Sequence, residues 1–272
     1  DSPVLQKLEE FLGTKLNITW VPSTSYDEKV TAAMGSGEYP QVMLVGSRSS
    51  SVIQNSRAGT FWDITDKLTD AEKFPNLAQT DPTVNHNTSI DGKVYGVYRS
   101  RELGRAGVSI RKDWLDKLGL EQPKTIDDFY NVLKAFKEQD PNGNGEADEI
   151  PYTTRNTQAG VLAFMEAFGI SGFEANEQFF IEDGKVKYAY TDPRCKDALE
   201  FINKLYNEGL IDPEYATNDT NVWLSRLTNE ISGSCQDTTA RAYALGTQVA
   251  SANEGSDAYF VVVAPPKGPD GT

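Results

Sequence analysis

Apolar residues recur at helical spacing from the first turn of the chain. Leu5, Leu8, Phe11 and Leu12 share one face, and Gly13 supplies the left-handed stop. Leu16 to Val21 then alternates apolar and polar positions as a strand would. A second helix is expected from Tyr26 to Met34, followed by a short buried strand over Gln41 to Val45. This β–α–β rhythm points to an open α/β sheet, in which ligands sit beyond the carboxyl ends of the strands. A first strand lying outside the chain is expected, because such sheets rarely start on a helix. The stretch from Trp62 to Thr88 reads as polar and irregular. Val94 to Val97 and Val108 to Ile110 read as a strand pair.

Beyond Ile110 the pattern turns helical. Asp113 to Leu118 is stopped by Gly119, and Thr125 caps a helix whose apolar face is Ile126, Phe129, Tyr130, Leu133 and Phe136. Further helices are expected over Gln158 to Phe168 and from Asp192 to Glu208, the latter capped by Thr191. Tyr259 to Val263 is a last strand, stopped by Pro265 and Pro266. Trp20 and Trp114 are assigned to the core. The lobe change falls at Gly104 to Ile110, which gives a first lobe of 1–107, a second of 108–264 and the start of a return crossing at 265–272.

Length and charge narrow the class. The chain has 272 residues, enough for two cores, with 38% hydrophobic and 24% charged residues, a globular balance. Its net charge of −14 repels phosphate backbones and argues against nucleic acid as a partner. No basic-then-apolar leader opens the chain, so a signal peptide is expected to have been removed. Cys195 and Cys235 fit no metal spacing and read as free, buried thiols.

One motif is sharp. Asp140, Asn142, Asn144 and Asp148 place oxygen donors at positions one, three, five and nine of a cation-wrapping loop, with Gly145 sixth and the carbonyl of Glu146 seventh. Position twelve is Pro151, which has no carboxylate, and Glu149 stands in for it from position ten. Calcium suits this donor number better than magnesium, which demands tighter octahedral geometry. The competing reading is an acidic turn, because Asp-Pro-Asn-Gly is strong turn chemistry by itself.

This loop, following Arg111-Lys112-Asp113-Trp114-Leu115-Asp116-Lys117-Leu118-Gly119, resembles the carbohydrate-binding lipoproteins of Gram-positive bacteria and the alginate-oligosaccharide-binding proteins. Gly37-Glu38-Tyr39-Pro40-Gln41-Val42 and Asp91-Gly92-Lys93-Val94-Tyr95-Gly96-Val97 add to the resemblance. The resemblance implies a two-lobed periplasmic-binding-protein-like α/β fold with a hinge. It implies an extracellular, non-enzymatic receptor that closes on an oligosaccharide and delivers it to ABC transporter permeases. It also implies a structural Ca2+ on Asp140, Asn142, Asn144, Glu146, Asp148 and Glu149, and an N-terminal lipid-bearing cysteine upstream of Asp1. Location is then the cell surface or the periplasm, and a monomer is expected. Members of the family are usually longer than this chain, so a C-terminal segment is expected beyond Thr272.

Sugars offer apolar CH faces and many hydroxyls, so their sites combine a stacking aromatic with planar polar groups. Candidates at predicted strand ends are Tyr26, Ser47, Arg48, Tyr98, Arg99 and Arg101 in the first lobe. Thr154, Arg155, Asn156, Trp223 and Asp237 are the candidates in the second. Arg99 and Arg101 hint at an acidic ligand such as a uronate. Two other classes stay open. A calcium-dependent adhesion module would tend to repeat the loop, and a glycoside hydrolase needs two carboxylates about 5–10 Å apart. No GxSxG, Walker-type loop, GxGxxG or HExxH is present, and the one histidine, His86, reads as a surface residue.

Overall fold

The computed structural model describes residues 2–100, 106–155, 160–161, 163–170, 179–264 and 266–269. The chain divides into two compact units, Asp1–Ser100 and Arg101–Thr272.

The first unit is helical where its backbone is regular. Its helices are α1 (Pro3–Leu12), closed by Gly13 in the left-handed region, α2 (Tyr26–Ser36), α3 (Ser50–Arg57) and α4 (Pro82–Thr88). Helix α4 lies inside the stretch expected to be irregular. Asp81 caps it by accepting from the amides of Thr83 and Val84, and Pro82 fills the first turn. The expected strands at Leu16–Val21 and Gln41–Val45 do not form among the described residues. No segment there pairs with them, and Trp20 and Val42 are 85% and 89% exposed, which overturns the core assignment of Trp20. Val94–Val97 likewise forms no strand, although an antiparallel bridge joins Ile90 to Lys93.

The second unit is an α/β layer structure. Strand β1 (Ala106–Arg111) leads into helix α5 (Lys112–Leu118), which Gly119 ends. Helix α6 (Ile126–Glu138) opens on a reciprocal capping box between Thr125 and Asp128. A hairpin follows, β2 (Phe179–Glu182) and β3 (Lys185–Tyr188), turned by Asp183 and Gly184, both at positive φ. Next come α7 (Pro193–Asn207), α8 (Thr220–Thr228), β4 (Ser234–Thr238), α9 (Thr239–Ala252) and β5 (Phe260–Val263). The cap of α7 is Asp192, whose carboxylate accepts from the Arg194 amide, one residue on from the expected Thr191. Of the helix expected over Gln158–Phe168, a 3-10 helix, Ala163–Phe168, is described, while Gln158 lies outside the described residues.

The sheet order is β4–β1–β5, antiparallel throughout, with Ile110 opposite both Ser234 and Val261. Segment 150–153 runs parallel to β4 through bridges Ile150–Ser232 and Thr153–Cys235, and Tyr152 bridges onward to Ile211. The alternation of side chains then sorts two cores. Val108 and Ile110 face α5 and α6, where Trp114, Phe129, Leu133 and Phe136 are buried. Cys235 faces the other way, with Trp223, Leu227, Leu245 and Val249 of α8 and α9. Trp114 meets Phe136 edge-on at 5.2 Å, inside the core as expected. Both thiols are free and buried, and burial pushes Cys235 well above its ordinary pKa. Lys267 hydrogen-bonds along Lys124 and Ile126, so 266–269 lies against the second unit's own backbone.

Candidate functional site

The Asp140 loop leaves the end of α6 and is held by its own side chains. The Asp140 carboxylate accepts from the amides of Gly143 (2.8 Å), Asn144 (3.1 Å) and Gly145 (3.0 Å). Asn142 accepts from the Asn144 amide at 2.9 Å, and Asn144 from the Glu146 amide at 2.7 Å. Asp140 itself sits at φ +44°, while Gly143 and Gly145 take φ +77° and +81°, a backbone that wraps the loop around its first residue. The Lys117 ammonium donates to the carbonyls of Asp140 and Pro141, tying the loop to α5.

Two features test whether the loop fits a cation. The donors are all oxygen, as a hard cation requires. Glu149, 7% exposed, has no hydrogen-bond partner on either carboxylate oxygen. Burial chiefly raises its pKa, with the charges of Asp148 and Asp140 adding to the rise and the nearby amides of Glu149 and Asn142, which fall short of hydrogen-bond geometry, offsetting part of it. A buried carboxylate facing two others without a partner is an arrangement that a divalent ion would neutralise. The Asn142 and Asn144 amide groups point their NH2 ends at Asp148 (3.2 Å). Among the described residues no three His, Cys, Asp or Glu side chains converge at metal distance. By donor type alone, the all-oxygen set of the loop and the orphaned Glu149 carboxylate fit calcium.

The strand-end candidates of the second unit gather in one place. Asp237, at the end of β4, binds Arg155 (Nη2 to Oδ2, 3.1 Å) and Arg241 (Nε to Oδ2, 3.1 Å), and its Oδ1 accepts from the Thr238 amide. Both guanidiniums lie over the Trp223 ring, at 4.8 and 5.8 Å from its centroid. Trp223 itself is 1% exposed, so it supports the arginines from below and offers no open face for stacking. Thr154 is buried, its carbonyl accepting from Asn218. Asn218 also donates to Asp212, which takes a hydrogen bond from Thr153 and pairs with Arg226. Asn156 lies outside the described residues.

The candidates of the first unit are more dispersed. The Tyr26 hydroxyl donates to the Leu44 carbonyl at 2.9 Å, and Arg48 donates to the carbonyls of Asn87 and Ser89. The Tyr98 hydroxyl accepts from the Asp81 amide at 2.8 Å. Ser47 and Arg99 are exposed, as is His86, and Arg101 lies outside the described residues. Sequence reasoning missed Arg241. Its signal was the i, i+4 spacing from Asp237 across a strand-to-helix junction. A shallow depression of about 440 Å³ is lined by Asn221, Val222, Ser225, Arg226 and Ile231 and holds none of the candidates.

Residues 1–272 match the bacterial extracellular solute-binding protein family. Lipoprotein LipO of Bacillus subtilis (strain 168) is 36% identical over 274 residues, covering 99% of this chain and 53% of LipO. The polygalacturonan/rhamnogalacturonan-binding protein YtcQ of the same organism is 36% identical over 213 residues, which is 78% of this chain and 41% of YtcQ. FusA of Streptococcus pneumoniae, as an EF-hand mutant in complex with fructo-nystose, superposes with a TM-score of 0.76 at 29% identity. That match covers 99% of this chain and 55% of FusA, so the chain spans about half the length of the relatives it matches. With α/β architecture and a match running its whole length, the chain belongs to the bacterial extracellular solute-binding protein family.

Proposed function

We propose that this chain is part of the sugar-capturing component of an ABC importer, a monomeric receptor that binds an oligosaccharide and passes it to membrane permeases without altering it. The observation that carries this reading is the family match over residues 1–272, joined by relatives whose names state sugar ligands. The lipoprotein name of LipO supports attachment outside the membrane through a lipid anchor. Among the described residues no helix is long and apolar enough to cross a bilayer.

In the same reading Asp140, Asn142, Asn144, Asp148, Glu149 and the Glu146 carbonyl hold a structural calcium. The orphaned Glu149 carboxylate supports it, as does the EF-hand named for FusA. When bound, calcium supplies charge neutralisation and cross-linking of the loop. Tyr26, Ser47, Arg48, Tyr98 and Arg99 remain candidates for the first unit's share of the sugar, and Thr154, Arg155 and Asp237 for the second's. The adhesion and hydrolase alternatives gain no supporting observation.

The test is a thermal-shift and calorimetric screen of the intact, calcium-loaded protein against neutral and acidic oligosaccharides. A saturable rise in Tm with one sugar class, with the sugar recovered uncut, is expected. A flat response across all of them sinks the sugar-receptor reading, and cleavage of any of them revives the hydrolase.

A further inference from the structure

The charge balance around Asp237 differs from that of the other arginine clusters. Among the described residues Arg57 pairs with Asp91, while Arg111 meets Asp113 and Glu230. Arg194 meets Glu182 and Asp192, and Arg226 meets Asp212 and Glu214. Each of these guanidiniums has at least one carboxylate of its own. Arg155 and Arg241 instead share the single oxygen Oδ2 of Asp237. This occurs in a chain where acidic residues outnumber basic ones by 40 to 26, so a local excess of positive charge goes against the composition.

The surroundings add to that excess. Arg241 lies in the first turn of α9, whose positive pole disfavours a cation. That turn has no acidic residue, and the Thr238 side chain makes no capping bond. Both arginines keep part of their surface in solvent, 29% and 34%, whereas Asp237 is 7% exposed. Only one N–H of each guanidinium is used among the described residues, which leaves both Nη atoms of Arg241 free to act as an end-on fork. The Trp223 ring, 4.8 and 5.8 Å from the two guanidiniums, restrains them by cation–π contact, so less side-chain freedom is lost when an anion arrives.

We propose that Arg155 and Arg241 form a carboxylate-accepting subsite, and that the ligand is a uronate-containing oligosaccharide. Planar, bidentate donors match a carboxylate in shape as well as charge. A neutral sugar would leave the excess charge unanswered. This inference rests on the sugar-receptor reading and narrows it to acidic sugars.

The experiment is calorimetric titration of the intact, calcium-loaded protein with three probes at two salt concentrations: a galacturonate trimer, the neutral galactose trimer and an acidic tripeptide of equal charge. The galacturonate trimer is expected to bind about tenfold or more tighter than the neutral trimer, the scale of a charge-assisted pair. The preference should weaken as salt rises. Arg241→Gln should bring the ratio of the two sugar affinities to within about twofold, and Arg241→Lys, which keeps the charge without the fork, should fall between. Arg155→Gln repeats the test at the partner, and an unchanged circular dichroism spectrum shows that each variant has folded. Neutral binding as tight as acidic, a ratio that survives both glutamine variants, or tripeptide binding as tight as the uronate overturns the proposal. In the first two outcomes sugar still binds and the receptor reading stands. If no sugar binds at either charge, that reading falls and the proposal falls with it.

Discussion

Glu149 offers the most demanding test, because its two effects have opposite signs. Its carboxylate is buried, unpartnered and close to the charges of Asp148 and Asp140. Without a cation such a group costs about 1–3 kcal/mol. With calcium at a hundred times its Kd, the gain is about 2.7 kcal/mol. For a unit the size of the second one, each kcal/mol moves Tm by about 2–4 °C, so calcium should raise Tm by about 5–11 °C. Glu149→Gln removes the charge and keeps the shape. The calcium-free variant should therefore melt at the wild-type temperature or a few degrees above it, while most of the calcium increment disappears. The assay is a pair of melting curves, in excess chelator and in calcium, for both proteins. A variant that melts lower in chelator yet keeps its full calcium increment would refute the reasoning, since Glu149 would then be a structural acceptor. Wild-type protein indifferent to chelator would reduce the loop to a turn.

Three further outcomes follow from the geometry. A Cβ on Gly233 would stand 2.5 Å from Phe136 Cδ2 and 2.7 Å from Trp114 Cε3. Gly233→Ala should thus cost about 1–3 kcal/mol by urea unfolding, and a neutral result would mean the two rings shift freely. Asp212 is fully buried under Thr153, Asn218 and Arg226, so Asp212→Ala should cost about 3 kcal/mol. A loss below 1 kcal/mol there would show that water replaces the carboxylate. Hydrogen bonding from Arg194 holds the Asp192 carboxyl at about 2, below its unfolded value, so its contribution is present above about pH 4 and is lost as pH falls toward 2. After discounting for the part-exposed Arg194, Asp192→Asn should cost about 1 kcal/mol at pH 7 and nothing near pH 2. Equal losses at both pH values would exclude the ion pair as the cause.

Where the local signal and the tertiary demand agreed, the sequence was legible. Helix α5 carries its glycine stop, α6 its capping box and α7 its aspartate cap, and the Asp140 loop is a spacing pattern that needs no distant partner. Strand β1, central in the sheet, and β5, an apolar run beside it, were readable too. Strand β4 was not, because Ser234-Cys235-Gln236-Asp237-Thr238 has no apolar alternation. It becomes a strand by pairing with β1 on one side and with segment 150–153 on the other. Helices α8 and α9 bury Trp223, Leu227, Leu245 and Val249 through faces diluted by Thr, Ser, Asn and Gly. The hairpin from Phe179 to Tyr188 was readable and overlooked, since Asp183-Gly184 between two short strands is a strong turn signal. In the first unit the alternation at Leu16–Val21 was real, but a strand exists only where another backbone pairs with it.

The Asp140 loop and the arginine pair are joined by two backbone segments that run side by side. One leaves the loop at Glu149 and reaches Arg155 within six residues. The other leaves Glu230, whose carbonyl accepts from the Asn142 side chain at 3.3 Å, and ends at Asp237. Backbone bonds tie them, from Ile150 to Ile231 at 2.9 Å and from Thr153 to Ser234 at 3.0 Å. The hydroxyls of Ser232 and Ser234 add bonds to the carbonyls of Ile150 and Pro151, both at 2.7 Å. With the outer edge of segment 150–153 held through Tyr152 to Leu210, neither segment can shift without breaking bonds on two sides. Calcium at the loop would therefore stiffen both supports of the arginine pair at once. Its loss should be felt first as faster amide exchange along 150–153 and 231–235, before the geometry at Asp237 changes.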